Sequence, residues 1–270
     1  MSRITTCLEQ LNQNQRKALV PYIVAGDPSH DFTVPMMHKL VERGADIIEL
    51  GVPFSDPMAE GPVIQLGHER ALANGVGLRD VLAMVDEFRQ QDQTTPVVLM
   101  GYANPIEYMG YEDFAAAAGA AGVDGLLTVD LPPEEAADLD QQLKTVGIDS
   151  IYLISPTTTD ERAKLIAEAA SGYLYYVSVK GVTGSGALDT EAVSRRMSDI
   201  REMTDVPICV GFGIKDAVTA KAIADIADGV VVGSALVKLA FEQTQTGVAL
   251  SEQIEQSSKL VGDMRQAIDA

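Results

Sequence analysis

The stretch Gly44-Ala45-Asp46-Ile47-Ile48-Glu49-Leu50-Gly51-Val52 decides the fold, because it joins the end of a helix to an apolar run. Glycine commonly ends a helix, and the same Gly-x-Asp seam recurs before apolar runs at 122–124 and 147–149. The runs are apolar on successive residues, which is typical of parallel strands covered on both faces. The seam therefore predicts repeated helix–strand units in a parallel sheet.

Eight such runs follow one another, separated by amphipathic stretches. They are 18–26, 46–54, 96–102, 125–130, 150–155, 174–179, 206–213 and 229–233. Dividing 270 residues by eight gives about 34 residues per unit, the size expected in a closed (β/α)8 TIM barrel. The sequence thus predicts a single α/β barrel domain over 1–270. A doubly wound open sheet is the alternative, but its Gly-x-Gly-x-x-Gly signature is missing after the first run.

Both ends of the chain are predicted to add a helix to the barrel. The residues that form one apolar face on each terminal helix are Ile4, Leu8, Leu11, Ile254, Val261, Met264 and Ile268. Two internal helices are predicted to start at a capping box of Thr158 and Glu161 and at Pro133, where acidic residues follow in a first turn.

The charge balance excludes two classes of partner. With 20 Lys and Arg against 39 Asp and Glu, the chain has a net charge of −19. Such a surface repels nucleic acid and anionic membranes, so a sequence-independent hold on either is not expected. The absence of Trp and an aromatic content of 5% also argue against a stacking platform for single-stranded nucleic acid. Any phosphate that binds must be held locally.

The cysteines and the apolar stretches indicate a cytoplasmic protein. Cys7 and Cys209 lie far apart and match no metal-ligand spacing, which is typical of a reducing compartment. The first 15 residues lack the apolar core of a signal peptide. The longest uncharged apolar stretch, 114–123, is too short to span a bilayer.

Glu49 is the first catalytic candidate, because it is a carboxylate inside an apolar run. An ionised acid without a partner is unfavourable there, so either it faces the surface or its pKa is raised and it is poised for proton transfer. The loop 53–62 adds Asp56 and Glu60, although a solvated surface turn is its simpler interpretation. The long loops predicted after the second and sixth strands, 55–77 and 180–188, lie at the carboxyl end of a barrel, where active sites are built.

Glycine-bearing loops after the last three strands predict a phosphate site. Gly211-Phe212-Gly213 ends the seventh strand, and Gly233-Ser234 precedes a helical stretch, so bare N–H groups and a helix N-terminus converge on one anion. The Gly-rich stretch 181–186 closes over the same ligand or is only a flexible loop. In (β/α)8 barrels the loops after the last two strands commonly form the phosphate-binding site.

Lys180 and the three histidines are weaker candidates. Lys180 ends the sixth strand, where a Schiff-base lysine would suit carbonyl chemistry, although a salt bridge or a loop role is simpler. His30, His38 and His68 lack metal-like spacing and are interpreted as ordinary helix or loop residues. No metal site is expected.

A set of motifs spread over nearly the whole chain is recognisable. The longest is Ile48-Glu49-Leu50-Gly51-Val52-Pro53-Phe54-Ser55-Asp56-Pro57, with Gly61-Pro62 and Gln65 following. The others are Pro21-Tyr22, Ala25-Gly26-Asp27-Pro28, Tyr102-Ala103-Asn104-Pro105, Asp130-Leu131-Pro132, Gly181-Val182-Thr183-Gly184 and Gly211-Phe212-Gly213-Ile214. Together they resemble the tryptophan synthase α-subunit family.

The resemblance implies a lyase that splits indole-3-glycerol phosphate into indole and glyceraldehyde 3-phosphate by retro-aldol cleavage. It implies no metal or organic cofactor in this chain. The indole would pass through a tunnel to a β subunit that carries pyridoxal phosphate, in an α2β2 assembly for tryptophan biosynthesis.

The resemblance also implies roles for individual residues. Glu49 would be the general acid/base that protonates the indole ring carbon, and Glu60 the carboxylate that hydrogen-bonds the ring N–H. The implied substrate-binding residues are Tyr22, Ile64, Met100, Tyr102, Leu127, Tyr175, Thr183 and Phe212. The implied phosphate-binding residues are Gly184, Gly213, Gly233 and Ser234. The β subunit is expected on an apolar rim patch that includes Pro53, Asp56, Met58, Asn104, Ile106 and Pro132.

The chain departs from the family pattern at two of these positions. Glu60 replaces Asp, which adds one methylene, and Tyr22 replaces Phe, which adds a hydroxyl that needs a partner or water. The stretch before Gly181 also lacks the Arg that some members carry. Two other functions stay open: a Schiff-base aldolase that uses Lys180, and a non-catalytic barrel that activates a partner enzyme.

Overall fold

The computed structural model describes residues 2–178, 190–211 and 213–270. Its strands are parallel to their neighbours and close into a barrel in sequence order, with the eighth strand paired to the first. The strands are β1 (Ala18–Val24), β2 (Ile48–Gly51), β3 (Val97–Gly101), β4 (Gly125–Thr128), β5 (Asp149–Ile154), β6 (Leu174–Val177), β7 (Ile208–Gly211) and β8 (Gly229–Val232). The predicted barrel is confirmed. The open sheet is wrong, because closure removes both sheet edges.

Helices surround the barrel and also cover its amino-terminal end. They are α1 (Arg3–Gln13), α2 (Thr33–Glu42), α3 (Pro62–Ala73), α4 (Leu78–Arg89), α5 (Ala103–Met109), α6 (Tyr111–Ala121), α7 (Ala137–Val146), α8 (Asp160–Ala169), α9 (Thr190–Arg201), α10 (Ala217–Ala224), α11 (Ser234–Thr244) and α12 (Leu250–Asp269), with a short 3₁₀ helix at His30–Phe32. The terminal helices α1 and α12 bury the predicted apolar faces. Across the described residues, no helix has the length and apolarity that a membrane crossing requires.

Two predicted helix starts are wrong by a few residues. The N-cap of α8 is Thr159, because the Thr158 hydroxyl instead accepts the Ser155 N–H at 3.0 Å and closes the preceding turn. Residues 133–135 form a turn, and α7 begins only at Ala137. Short-range bonds between residues three apart compete with helix formation at both places.

The predicted Gly-x-Asp seams tie neighbouring strands together at the amino-terminal end of the barrel. Asp124 precedes β4, and its carboxylate accepts the Val97 N–H in β3 at 2.8 Å. Asp46 precedes β2 and likewise accepts the Leu19 N–H in β1 at 2.8 Å. Gly122, which ends α6, has a φ of +86° in the left-handed region that favours glycine. In the seam the glycine therefore ends a helix, and the aspartate holds the next strand to its neighbour.

Alternate strand residues divide the core into two layers. Val20, Val98 and Leu127 lie in the barrel interior, and the apolar face of α1 packs against this inner layer. Their neighbours, such as Leu19, pack outward against the helices. Because α1 covers the amino-terminal end, the loops at the carboxyl end are free to form a site.

Candidate active site

Glu49 lies in β2, fully buried in the barrel interior beside its register partner Tyr22. Its Oε1 accepts the Tyr173 hydroxyl at 2.5 Å, and its Oε2 has no partner among the described residues. Burial raises the pKa of Glu49 to about 8; the Tyr173 hydrogen bond opposes this shift, and repulsion from Glu60 adds to it. Glu49 is therefore mostly protonated at neutral pH, with one oxygen free for chemistry.

The predicted loop 55–77 is wrong in its extent, because residues 62–73 form α3, which begins at Pro62. Glu60 lies in the remaining loop between β2 and α3 and is partly buried. Burial raises the pKa of Glu60 to about 7. Its charge also acts on Glu49, so the two carboxyl groups share one electrostatic environment. Because the charge of one group disfavours ionisation of the other, one can carry a proton while the other is ionised.

Three hydrogen bonds anchor the loop that carries Glu60. They are donated by the Phe54 N–H to His68 Nδ1 (3.0 Å), by the Ala59 N–H to Tyr102 Oη (3.1 Å) and by the Gln65 side-chain amide to the Glu60 carbonyl oxygen (2.9 Å). Tyr102 directly follows β3, and His68 and Gln65 lie in α3, so these elements hold the loop that carries residue 60.

Tyr22 and Tyr175 reach across the barrel mouth because two glycines leave room for their hydroxyls. A Cβ built at Gly51 would lie 2.3 Å from the Tyr22 hydroxyl oxygen. At Gly211 a Cβ would lie 2.0 Å from the Tyr175 hydroxyl oxygen. Burial raises the pKa of both tyrosines well above the usual value, so both hydroxyls keep their protons.

The expected apolar contacts come from α3, β3 and β4. Ile64 and Met100 pack in one cluster with Tyr22, and Leu127 packs with Tyr175 in the barrel interior. Tyr102 is buried, and its ring stacks on Phe54 with 5.1 Å between centroids. The structure thus brings the described substrate-binding candidates together around the two acids.

Two of the expected phosphate loops lie side by side. Gly233 is the N-cap of α11 and Ser234 its first residue, so free N–H groups of that first turn lie just beyond β8. Gly213 follows the neighbouring β7 with a φ of +78°. Several predicted site residues lie outside the described residues: Lys180, Thr183, Gly184 and Phe212, with the loops 180–188 and 181–186.

Sequence reasoning did not identify Tyr173 or His68 as residues of the site. Tyr173 is two residues before Tyr175, and this alternation, which puts both side chains on one face, is the signal that could have found it. His68 is only 1% exposed and contacts Tyr22 and Phe54, which lie on other elements. No local pattern reveals such a residue. Within the described ranges, no three His, Cys, Asp or Glu side chains are grouped to hold a metal ion.

The expected rim patch is only partly exposed. Asp56, Met58, Asn104 and Pro132 lie on the surface. Pro53 and Ile106 do not, because Pro53 continues the buried end of β2 and Ile106 joins the apolar core. Tyr108, which is 94% exposed, supplies apolar surface near these residues instead.

Known proteins match the chain over its whole length. The family model described as tryptophan synthase alpha chain matches residues 8–269. The tryptophan synthase alpha chain of Thioalkalivibrio sulfidiphilus is 57% identical over 269 residues, which cover 100% of both chains. That of Dechloromonas aromatica is also 57% identical, with 100% of this chain and 98% of that chain covered.

Solved structures agree with these matches. The crystal structure of tryptophan synthase subunit alpha from Legionella pneumophila has a TM-score of 0.92 at 48% identity, covering 100% of this chain and 99% of that one. The aminoacrylate-bound form of tryptophan synthase from M. tuberculosis has a TM-score of 0.86 at 34% identity, with 99% and 100% covered. By sequence and by fold, the chain belongs to the tryptophan synthase alpha chain family, lyases that cleave indole-3-glycerol phosphate.

Proposed function

We propose that this chain cleaves indole-3-glycerol phosphate with Glu49 as the general acid/base and Glu60 as the supporting carboxylate. One observation carries the assignment: Glu49 is fully buried, its pKa is raised to about 8, and its Oε2 is unpartnered among the described residues. The reaction needs a proton on a weakly basic ring carbon, and a buried carboxylic acid can deliver one.

In the proposed reaction Glu49 gives its proton to the indole carbon that bears the glycerol chain, and the ring becomes a cation. The resulting carboxylate takes the hydroxyl proton from the adjoining glycerol carbon. The bond between the ring and that carbon then breaks, and its electron pair returns to the ring. Indole and glyceraldehyde 3-phosphate leave with Glu49 protonated again, so this chain needs no cofactor for the steps.

Glu60 acts in its ionised form. Its carboxylate accepts the indole N–H, whose acidity grows as positive charge develops on the ring. The anchored loop fixes the backbone at this position, so the additional methylene of Glu must be taken up by its own rotamer.

Neutral donors hold the substrate phosphate in this proposal. The N–H groups at Gly213, Gly233 and Ser234 lie at one end of the barrel, and a helix N-terminus favours an anion. This arrangement accounts for an anionic substrate in a protein with a net charge of −19. Gly184 is assigned to the same phosphate, and Thr183 is assigned to substrate binding next to Glu60.

We infer that a β subunit carrying pyridoxal phosphate binds the exposed rim patch in an α2β2 assembly and receives the indole. Family membership supports a β partner, and the 79% exposure of Met58 supplies apolar surface for it. A cytoplasmic location is proposed as well, and the two unpaired cysteines support it.

Indole release from indole-3-glycerol phosphate by the purified chain tests the catalytic proposal. We expect indole from the wild type and far less from Glu49→Gln. A chain that releases none, alone or with a β subunit, would be the non-catalytic activator. Borohydride treatment with substrate is expected to leave the protein mass unchanged, whereas a trapped adduct would indicate a Schiff base.

Co-purification and sedimentation with a cognate β subunit test the partner. We expect Pro132→Asp to weaken the complex, because it puts a charge on the apolar rim. Val218→Asp is the matched control, since Val218 is 78% exposed on α10 and outside the rim patch. Equal binding by the two variants would mean that the interface lies elsewhere.

A further inference from the structure

His68 has a defined tautomer because of its contact with the loop. The Phe54 N–H can only donate, so the Nδ1 atom that it meets at 3.0 Å carries no proton. Burial lowers the pKa of His68 to about 4, so the ring is neutral. A neutral imidazole holds one proton, which must therefore be on Nε2.

This tautomer determines the role of the Tyr22 hydroxyl. His68 Nε2 lies 3.3 Å from Tyr22 Oη, and because Nε2 carries the proton, it donates and the tyrosine oxygen accepts. Tyr22 therefore keeps its own hydroxyl hydrogen for a different acceptor. Within the described part of the chain, no acceptor for that hydrogen is found.

The Tyr22 side chain lies between the loop that follows β8 and the strand that carries Glu49. Tyr22 pairs in register with Glu49, and its hydroxyl lies against Gly51. The other end of the ring lies beside Gly233, where a Cβ would be 3.4 Å from Tyr22 Cδ1. Tyr22 thus extends from Gly233 to Gly51, which follows Glu49 by two residues and faces the same side of β2.

Substrate chemistry selects the acceptor. The indole N–H is a donor and cannot accept from tyrosine, so only the glycerol and phosphate oxygens can. The proposed phosphate site is at the Gly233 end of the ring, whereas the hydroxyl lies at the other end, beside Gly51 on the strand that carries Glu49.

We propose that the Tyr22 hydroxyl donates a hydrogen bond to a glycerol hydroxyl oxygen of the substrate, and that His68 is a positioning residue that orients it. This inference rests on the proposed function. It makes the difference between Tyr and Phe at position 22 a difference in how the glycerol chain is recognised. The loop that carries Glu60 is also connected to the same contact, through Phe54 and His68.

The test compares Tyr22→Phe, His68→Asn and the double variant in steady-state cleavage of indole-3-glycerol phosphate. Asn at position 68 keeps a δ-position acceptor for the Phe54 N–H but has no atom at Nε2. We expect kcat/KM to fall about tenfold in Tyr22→Phe and about threefold in His68→Asn, with no further loss in the double variant. His68→Gln, which keeps an ε-position donor, is expected to retain more activity than His68→Asn.

A second ligand separates the contribution of the Tyr22 hydroxyl to substrate binding from that of the Tyr22 ring. Indole-3-propanol phosphate lacks the glycerol hydroxyls, so its dissociation constant is expected to be the same for the wild type and Tyr22→Phe. Nitrogen NMR of His68 should show the proton on Nε2 in the wild type.

Three results would overturn the inference while leaving the proposed function standing. The first is full activity in Tyr22→Phe, and the second is a loss of affinity for indole-3-propanol phosphate in Tyr22→Phe as large as its loss in kcat/KM. The third is a further threefold loss in kcat/KM when His68→Asn is added to Tyr22→Phe. Absence of any indole release from the wild type would instead remove the proposed function.

Discussion

The two ends of the barrel hold buried carboxylates in opposite ways. At the amino-terminal end, Asp124 is 4% exposed and lies between Arg89 at 2.7 Å and Arg3 at 2.8 Å. At the carboxyl end, Glu49 is fully buried, and no ion pair to it or to Glu60 occurs among the described residues. The acid at the amino-terminal end joins elements through its two cations, whereas burial without a cation raises the pKa values of Glu49 and Glu60. The first arrangement serves stability and the second serves chemistry.

Glu49→Gln should produce the largest effect at the carboxyl end. The amide cannot give up a proton, so turnover is expected to fall by at least about 10²-fold while binding of indole-3-propanol phosphate stays near wild type. Steady-state indole release and fluorescence titration measure the two quantities. Turnover close to that of the wild type would remove Glu49 from the mechanism.

Asp124→Ala should produce the largest effect at the amino-terminal end. It leaves Arg89, whose side chain is 6% exposed, without its carboxylate, so the free energy of unfolding is expected to fall by about 3 kcal/mol or more. Urea unfolding measures this loss, and kcat/KM of the folded protein should stay unchanged. Glu134→Ala is the control, because it breaks an exposed pair with Arg162 and should leave the unfolding midpoint in place. Equal midpoints for the two variants would contradict the comparison.

Variants of Glu60 test whether the length of its side chain matters for catalysis at the carboxyl end. If the loop is adapted to Glu, Glu60→Asp lowers kcat several-fold, because the shorter side chain withdraws from the indole N–H. Glu60→Ala lowers kcat by about 10²-fold, because the developing charge loses its partner. A clear gain in kcat for Glu60→Asp would mean that the loop is not adapted, and no loss in Glu60→Ala would mean that Glu60 has no catalytic role.

The pH dependence of kcat/KM should report both acids. The rate is expected to rise as Glu60 ionises around pH 7 and to fall as Glu49 loses its proton around pH 8. In Glu60→Gln the rising limb should disappear while the falling limb remains. A rising limb that persists in this variant would belong to another group.

The raised pKa of Glu49 also makes the stability of the protein depend on pH. The pKa of Glu49 rises from an ordinary 4.5 in the unfolded chain to about 8 in the folded one, so the native state binds the proton more tightly. Its contribution to stability is complete below about pH 4.5 and is lost as the pH rises towards 8. Glu49→Gln should therefore gain stability relative to the wild type across this range, as urea unfolding at pH 5 and pH 8 can measure. A constant difference between the two proteins would contradict the raised pKa.

The strand pattern, the seams and Glu49 could be predicted from sequence because each is a local signal. Strands covered on both faces are apolar at every position, so the eight runs correspond to eight strands. Gly122 and Asp124 mark a helix end and a strand-pairing carboxylate within three residues. The family motifs are equally local, and the family that they resemble is the one that the chain belongs to.

Tertiary structure alone decided which polar groups meet. Tyr173 and Glu49 are 124 residues apart, and His68 and Tyr22 are 46 apart, so no spacing along the chain connects them. The burial of Pro53 and Ile106 likewise depends on what packs over them. The sequence by itself determined the strands and the acid within them, because backbone conformation and hydrophobic burial act on neighbouring residues. The protonation of that acid was decided only when closure of the barrel excluded water from Glu49, a burial effect that outweighs the opposing hydrogen bond from Tyr173.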